Sequence, residues 1–348
     1  MRRAVIDRHG PPGVLRVEEV EDPLPTAGHV LVRVAAAGVN FVDLHQRGGA
    51  YRVDLPFLPG FEGSGTVLAV GDGVTGVHAG DRIAWSGCPG SYATHCLVPA
   101  QRVVPVPDPI SLTDAAAVLV QGMTAHFLVS DVAPLAEADV CLVQAAAGGV
   151  GGLLTQLAVL RGATVIGTVS SSAKAAAARE AGATHVVDYS REPFHPRVLE
   201  ITGGRGVDVV YDAVGRDTFE TGLACLRPRG MFVLYGQSNG QPGPIEPQVL
   251  NARGSLFLTK ASLGHYDTTR EQFLRRAAVV FDLVASGRLR PRVHATYQLD
   301  DAPAAHEAVE SRTAAGKVLL CPRAPSTPDP RHPARSRSGR SASSLGRA

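Results

Sequence analysis

Val143-Gln144-Ala145-Ala146-Ala147-Gly148-Gly149-Val150-Gly151 is a glycine-rich run set between an apolar strand-like stretch and an apolar helix-like one. Residues without bulk let a backbone approach a large anion, and the amides that open the next helix point at that anion with the macrodipole behind them. The chemistry implied is capture of a dinucleotide pyrophosphate at Ala147, Gly148, Gly149, Val150 and Gly151. A glycine fingerprint carries weight only in a strand-turn-helix context. Here residues 139–143 supply the strand, Leu153, Leu154, Leu157, Ala158 and Val159 the helix face, and residues 163–169 the second strand. Ala146 stands in place of the first fingerprint glycine, whereas Gly148 and Gly151 keep the positions of close approach and tight packing.

The end of the second strand selects the dinucleotide. In an NAD-specific fold an acidic residue there bonds the ribose hydroxyls and repels a 2′-phosphate. This chain has Ser170-Ser171-Ser172-Ala173-Lys174 instead. The Ser170 hydroxyl and the Lys174 ammonium favour a phosphate, so the cofactor expected is NADPH. Asp188 follows a later strand and is not the ribose acid.

These residues need a sheet to hold them. From residue 125 onward strand-like and helix-like runs alternate: strand 140–144, helix 149–161, strand 164–169, helix 173–181, then strands near 186–187, 207–211 and 231–235. Such alternation specifies a parallel, doubly wound sheet covered by helices on both faces. The preceding segment differs, with short strand signals at 30–34, 65–70 and 82–85 broken by Gly and Pro, which marks a β-rich domain. After a strand-like 255–259 comes an amphipathic helix over 269–286, with Phe273, Ala277, Val280, Phe281 and Val284 on one face. Strand pieces at 295–299 and 317–321 return to the first domain. The expected division is therefore 1–122 with 262–321 as the β-rich substrate domain, 123–261 as the dinucleotide domain, and 322–348 as a disordered tail.

Composition narrows the classes. A chain of 348 residues exceeds what one average core needs. With 45% hydrophobic and 19% charged residues and no apolar run of membrane-spanning length, it reads as a globular protein of the cytoplasm. Met1-Arg2-Arg3 leads straight into a strand-like stretch, unlike a signal peptide. Five cysteines without close pairs fit reduced thiols. The net charge of +2 is carried by the tail, where Arg323, Arg331, Arg335, Arg337, Arg340 and Arg347 face only Asp329. A tail of Pro, Ser, Ala, Gly and Arg without apolar periodicity cannot offset the entropy of ordering it. The body lacks a strong basic cluster, which argues against a nucleic-acid partner.

A β-rich domain ahead of a dinucleotide fold, together with several motifs in order, resembles the medium-chain dehydrogenase/reductase superfamily. The motifs are Gly38-Val39-Asn40-Phe41-Val42-Asp43, Leu58-Pro59-Gly60-Phe61-Glu62-Gly63-Ser64-Gly65, Gln144 to Gly151, Tyr211-Asp212-Ala213-Val214-Gly215 and Glu310-Ser311-Arg312. More narrowly the chain is similar to the zinc-independent NADPH:quinone oxidoreductases, the zeta-crystallin-like group. The resemblance implies an α/β fold, a GroES-like β-rich domain plus a doubly wound Rossmann domain. It also implies NADPH-dependent, metal-free reduction of quinones. Zinc-dependent relatives carry cysteine at the place of Asn40, histidine at Phe61 and a thiolate or carboxylate near Val120. An amide is a poor substitute for a thiolate, and phenylalanine and valine have no donor, so no metal is expected.

The resemblance further places Asn40 near the nicotinamide ribose and the substrate, and adds Tyr189 and Arg312 to the adenosine-phosphate contacts. Gln237 follows a strand at the carboxyl edge of the sheet, where cofactors bind, although the family more often has asparagine near that place. A conjugated quinone spreads the charge it gains, so orientation, a few donors and exclusion of water suffice. Candidate donors are the Asn40 amide and the Tyr51 hydroxyl. His45 stands where the family often has tyrosine; it could donate a proton and titrate near neutrality, or be an exposed loop residue. Trp85, Phe41 and Phe61 are read as core packing rather than as ligands. Other functions open to the chain are an enoyl or alkenal reductase, or an RNA-binding or structural role. The strand at 255–259 is expected to pair with its copy in a homodimer.

Overall fold

The computed structural model describes residues 1–322; the expectation of a disordered tail falls almost wholly outside them. The chain opens with β1 (Arg2–Val5), β2 (Arg16–Glu19), β3 (His29–Val39), helix α1 (Phe41–Gly48), β4 (Glu62–Val70), β5 (Arg82–Ser86), β6 (His95–Pro99), β7 (Val103–Pro105) and helix α2 (Leu112–Phe127). Alternation then sets in with β8 (Val140–Val143), α3 (Gly149–Leu160), β9 (Thr164–Val169), α4 (Ser172–Glu180) and β10 (His185–Asp188). It continues through α5 (Phe194–Ile201), β11 (Val207–Asp212), α6 (Phe219–Ala224), β12 (Leu226–Leu234), α7 (Pro247–Ala252) and β13 (Phe257–Lys260). The last described elements are α8 (Arg270–Ala285), β14 (Val293–Gln298), α9 (Ala302–Glu310) and β15 (Lys317–Cys321).

Six parallel strands run in the order β10-β9-β8-β11-β12-β13. The order reverses between β8 and β11, which opens a crevice at the carboxyl ends of those strands. The other large sheet runs β14-β15-β3-β4-β5-β7, with β6 on β3. The two returning strands thus join it across β3, where Val318 pairs with Val39. Helix α8 is capped as its sequence demands, Thr269 Oγ1 accepting from Gln272 N at 3.2 Å and Gln272 Oε1 accepting from Thr269 N at 3.3 Å. Its buried face shares one core with α2, β8, β9 and α3, including Phe273, Val280, Leu119, Cys141 and Leu154.

Two readings change. The helical stretch Leu112–Val132, with a mean hydropathy of 1.3, is long and apolar enough by composition to cross a membrane, contrary to the absence expected from sequence. In the fold it is a core helix, with Ala115, Val118, Leu119, Met123 and Phe127 buried at 1% exposure or less. His45 lies in helix α1 and not in a loop. That helix is held down by Arg47, 3% exposed, which reaches Glu310 at 3.0 Å, Gly10 O at 3.1 Å and His306 Nδ1 at 3.3 Å.

Candidate functional site

The glycine turn forms where β8 ends. Ala145 adopts φ 54°, a left-handed conformation that turns the chain sharply before α3. Ala146 fits in place of a glycine because its neighbour on β9 is Gly167, where an added Cβ would lie 2.7 Å from the Ala146 methyl. At Gly151 a Cβ would meet Ala145 O at 2.3 Å, so α3 can seat this closely only with glycine there. Gly148, the residue before the helix, provides no side-chain cap, and the first turn carries no acid. The amides that open α3 are therefore left without a competing side-chain cap, the arrangement that an anion site needs. A cavity of about 260 Å³ opens beside them toward α2 and α4, lined by Gly148, Gly149 and Gly152 together with Gln121, Glu180 and Arg292, and it does not reach Ser170 or Lys174. Gly148 also bridges Gly316, which fastens the turn to the segment entering β15.

That segment delivers Arg312 to the end of β9. Lys174 Nζ donates to Ser170 Oγ at 3.2 Å and to the Arg312 carbonyl. Burial, then the Arg312 charge, push the Lys174 ammonium below the ordinary lysine range. The Lys174 ammonium thus stands at the Ser170 hydroxyl with the Arg312 charge near enough to be felt. Tyr189 sits beside it, its N–H donating to Val169 O at 3.0 Å and its ring 43% exposed.

A third cluster ties together three neighbouring strand ends of the β-rich sheet, β15, β3 and β4. Lys317, at the start of β15, and Glu62, at the start of β4, form an ion pair with both side chains 1% exposed. Asn40 completes it: its Oδ1 accepts from Lys317 Nζ at 2.7 Å, and its Nδ2 donates to Glu62 Oε1 at 2.9 Å and to Gly38 O at 3.3 Å. Glu62 Oε2 accepts from Val120 N at 3.0 Å. Gly38 must lack a side chain, since a Cβ there would come 2.3 Å from Glu62 Oε1. Both amide hydrogens of Asn40 are thus committed, which corrects the expectation that this amide donates to a substrate oxyanion. Its place in the site is to position the end of β3. Sequence reasoning passed over Glu62 and Lys317; the signals were an acid inside a glycine-rich run and a lysine opening an apolar strand.

The fourth cluster lies at the crevice mouth. Gln237, just past β12, donates from Nε2 to Tyr51 Oη at 3.5 Å, leaving the Tyr51 hydrogen free to donate elsewhere. The Tyr51 ring lies 4.9 Å from that of His45. Lys260, the last residue of β13 and absent from the sequence reading, reaches Gly236 O at 3.5 Å. Burial foremost, and then Lys260, hold the His45 pKa below its ordinary value. This direction runs against titration near neutrality and favours the uncharged ring. Replacing His45 by phenylalanine is expected to change kcat/KM by a ratio that stays constant from about pH 7 to about pH 9, because a depressed pKa confines the charged form to acid. A ratio that shifts through neutrality would restore an imidazolium to the mechanism. Trp85 is fully buried and belongs to the core.

The chain matches the family model of the alcohol dehydrogenase GroES-like domain over residues 26–108 and that of the zinc-binding dehydrogenases over residues 149–285. A 2-haloacrylate reductase from a Burkholderia species is 40% identical over 329 residues, covering 92% of this chain and 99% of the relative. Quinone oxidoreductase 1 of Escherichia coli is 39% identical over 324 residues, with the same shares covered. The crystal structure of Escherichia coli quinone oxidoreductase complexed with NADPH aligns with a TM-score of 0.90 at 39% identity, covering 92% of this chain and 100% of that one. The zinc of the second family description does not fit here. Among the described residues no group of three or more His, Cys, Asp or Glu side chains could hold a metal ion, and Asn40 and Glu62 clasp an ammonium instead.

Proposed function

This chain belongs to the quinone oxidoreductases of the medium-chain dehydrogenase/reductase superfamily, and from that premise we propose that it reduces quinones with NADPH and without a metal ion. The observation that supports the cofactor choice is the Lys174 ammonium held by Ser170 Oγ and the Arg312 carbonyl at the end of β9, where an NAD-specific fold has an acid. Bound NADPH supplies the hydride. The chain's own residues do the rest. Amides of Gly149, Val150 and Gly151 take the pyrophosphate, Ser170, Lys174 and Arg312 the 2′-phosphate, and Tyr189 flanks the adenosine. Gln237 orients Tyr51, whose hydroxyl donates to the oxygen that gains negative charge. Residues 1–122 and 262–321 would provide the substrate side, and residues 123–261 the cofactor side.

A second reading, reduction of activated alkenes, is favoured by the 40% identity to a 2-haloacrylate reductase. Oxidation of NADPH by the purified protein, followed over quinones, enals and enoyl thioesters, separates the two; no oxidation with any acceptor would sink both. Lys174→Ala is expected to lower the preference for NADPH over NADH by about 10- to 100-fold, the weight of one or two charge-assisted hydrogen bonds. An unchanged preference would place the 2′-phosphate elsewhere.

Among the described residues edge strand β13 pairs with β12 alone and leaves Phe257 56% exposed, which supports pairing with a second copy of the chain. Light scattering is expected to give the mass of two chains, and a monomeric mass would defeat the pairing. Five free thiols support a reducing compartment, the cytoplasm.

A further inference from the structure

Lys260 has no task in the reading above. Among the described residues its ammonium makes one long hydrogen bond, 3.5 Å to Gly236 O, and no ion pair. The nearby carboxylate of Asp212 is already spent on Val214 N at 2.6 Å, Gly215 N at 3.0 Å and Thr218 Oγ1 at 2.7 Å. Lys260 closes strand β13 one position beyond the register pair Val233–Thr259, at the same carboxyl edge from which Gln237 reaches Tyr51. Its charge is felt by His45, whose ring lies tilted against that of Tyr51 at 4.9 Å. An ammonium without a direct ion pair among the described residues, its charge only balanced at a distance by the buried Asp212 carboxylate, thus stands at the mouth of the crevice near His45.

We propose that Lys260 is a specificity-determining residue that admits acceptors carrying a carboxylate conjugated to the reducible double bond, the class of 2-haloacrylic acids. The inference rests on the reading of the site as an NADPH-dependent reductase. Its chemical reason is the charge such acceptors must accumulate. Hydride adds to the carbon β to the carboxylate, the alkene π pair moves onto the carboxylate oxygens, and an enediolate with two negative charges forms. A proton, taken from water or through the Tyr51 hydroxyl, then adds to the α carbon and leaves the saturated acid, with NADP⁺ as the oxidised product. A second negative charge on an anion is costly unless a cation is already in place, and the ammonium gains more from the enediolate than from the substrate. A quinone, neutral at the outset and aromatic after reduction, needs this help less.

The test compares wild type, Lys260→Met and Lys260→Arg with three acceptors: 2-chloroacrylate, its neutral amide, and benzoquinone. In Lys260→Met the ratio of kcat/KM for 2-chloroacrylate to that for benzoquinone is expected to fall about 10- to 100-fold, the range of a hydrogen bond between charged groups. The ratio for the amide should move far less, and Lys260→Arg should restore most of the loss. Inhibition of benzoquinone reduction by the saturated acid 2-chloropropionate should weaken in parallel, a readout that needs no turnover of the carboxylate. Equal losses for acid and amide would overturn the proposal, as would a change confined to KM for NADPH. Wild type that reduces benzoquinone yet neither reduces 2-chloroacrylate nor is inhibited by 2-chloropropionate would overturn it too, with the reductase reading intact. No NADPH oxidation with any of the three would remove that reading itself.

Discussion

Replacing Lys317 by methionine is expected to destabilise the protein by about 3–5 kcal/mol, the range found when one partner of a buried ion pair is removed. Lys317 and Glu62 are each only 1% exposed, so the carboxylate left behind could not turn to water. It would keep the hydrogen bonds from Asn40 Nδ2 and Val120 N, but its counter-charge would be gone, and Asn40 Oδ1 would lose its donor. The consequence reaches the site because three strand ends meet there: Asn40 follows β3, Glu62 opens β4 and Lys317 opens β15. Equilibrium unfolding in urea measures the loss. The double variant Glu62→Gln with Lys317→Met should recover a large share of it, since no unpaired charge remains buried. A loss below about 1 kcal/mol for Lys317→Met would mean that the pair is solvated, as surface pairs are.

Gly151→Ala is expected to weaken NADPH binding by at least about 10-fold and to cost about 1–3 kcal/mol of stability, the usual scale of overpacking. The added Cβ would lie 2.3 Å from Ala145 O, 3.0 Å from Ala145 C and 3.1 Å from Ala146 Cα, all backbone atoms of a turn already set by the left-handed Ala145. No flexible side chain can yield, so the first turn of α3 must move and carry its amides away from the phosphates. Gly148→Ala provides the contrast. There the nearest atom is Ala145 O at 3.2 Å, a milder crowding, so the fold should hold while the methyl obstructs the approaching anion. Calorimetric titration with NADPH beside thermal unfolding of the two variants separates packing from approach. Wild-type affinity in Gly151→Ala would remove the pyrophosphate from this turn.

Legibility in the sequence followed the range of the forces involved. The strand-turn-helix around Gly148 is written in a dozen consecutive residues, and the alternation after residue 125 reports a local period that needs no partner. Helix α8 was legible because Thr269 and Gln272 cap it three residues apart while Phe273, Ala277, Val280 and Phe281 recur on one face. Helix α1 was not. Its eight residues, Phe41–Gly48, are too few to show a helical period and are stabilised by Arg47 reaching Glu310 and His306, far along the chain. The apolar length of Leu112–Val132 was likewise passed over, because Thr, Asp, Gln and His interrupt it to the eye.

By itself the sequence determined the dinucleotide turn, the parallel order that must follow it, and a strand end with Ser170 and Lys174 where an acid would refuse a phosphate. Each is a matter of neighbours within a few residues. Only the tertiary structure decided that Asn40 spends its amide on Glu62 and Lys317, that burial and then the Lys260 charge lower the His45 pKa, and that Gly167 makes room for Ala146. Those contacts join positions as much as 277 residues apart. They exist because sheet order and register bring distant strand ends together, and because burial there sets which charges survive and which hydrogen bonds must be made.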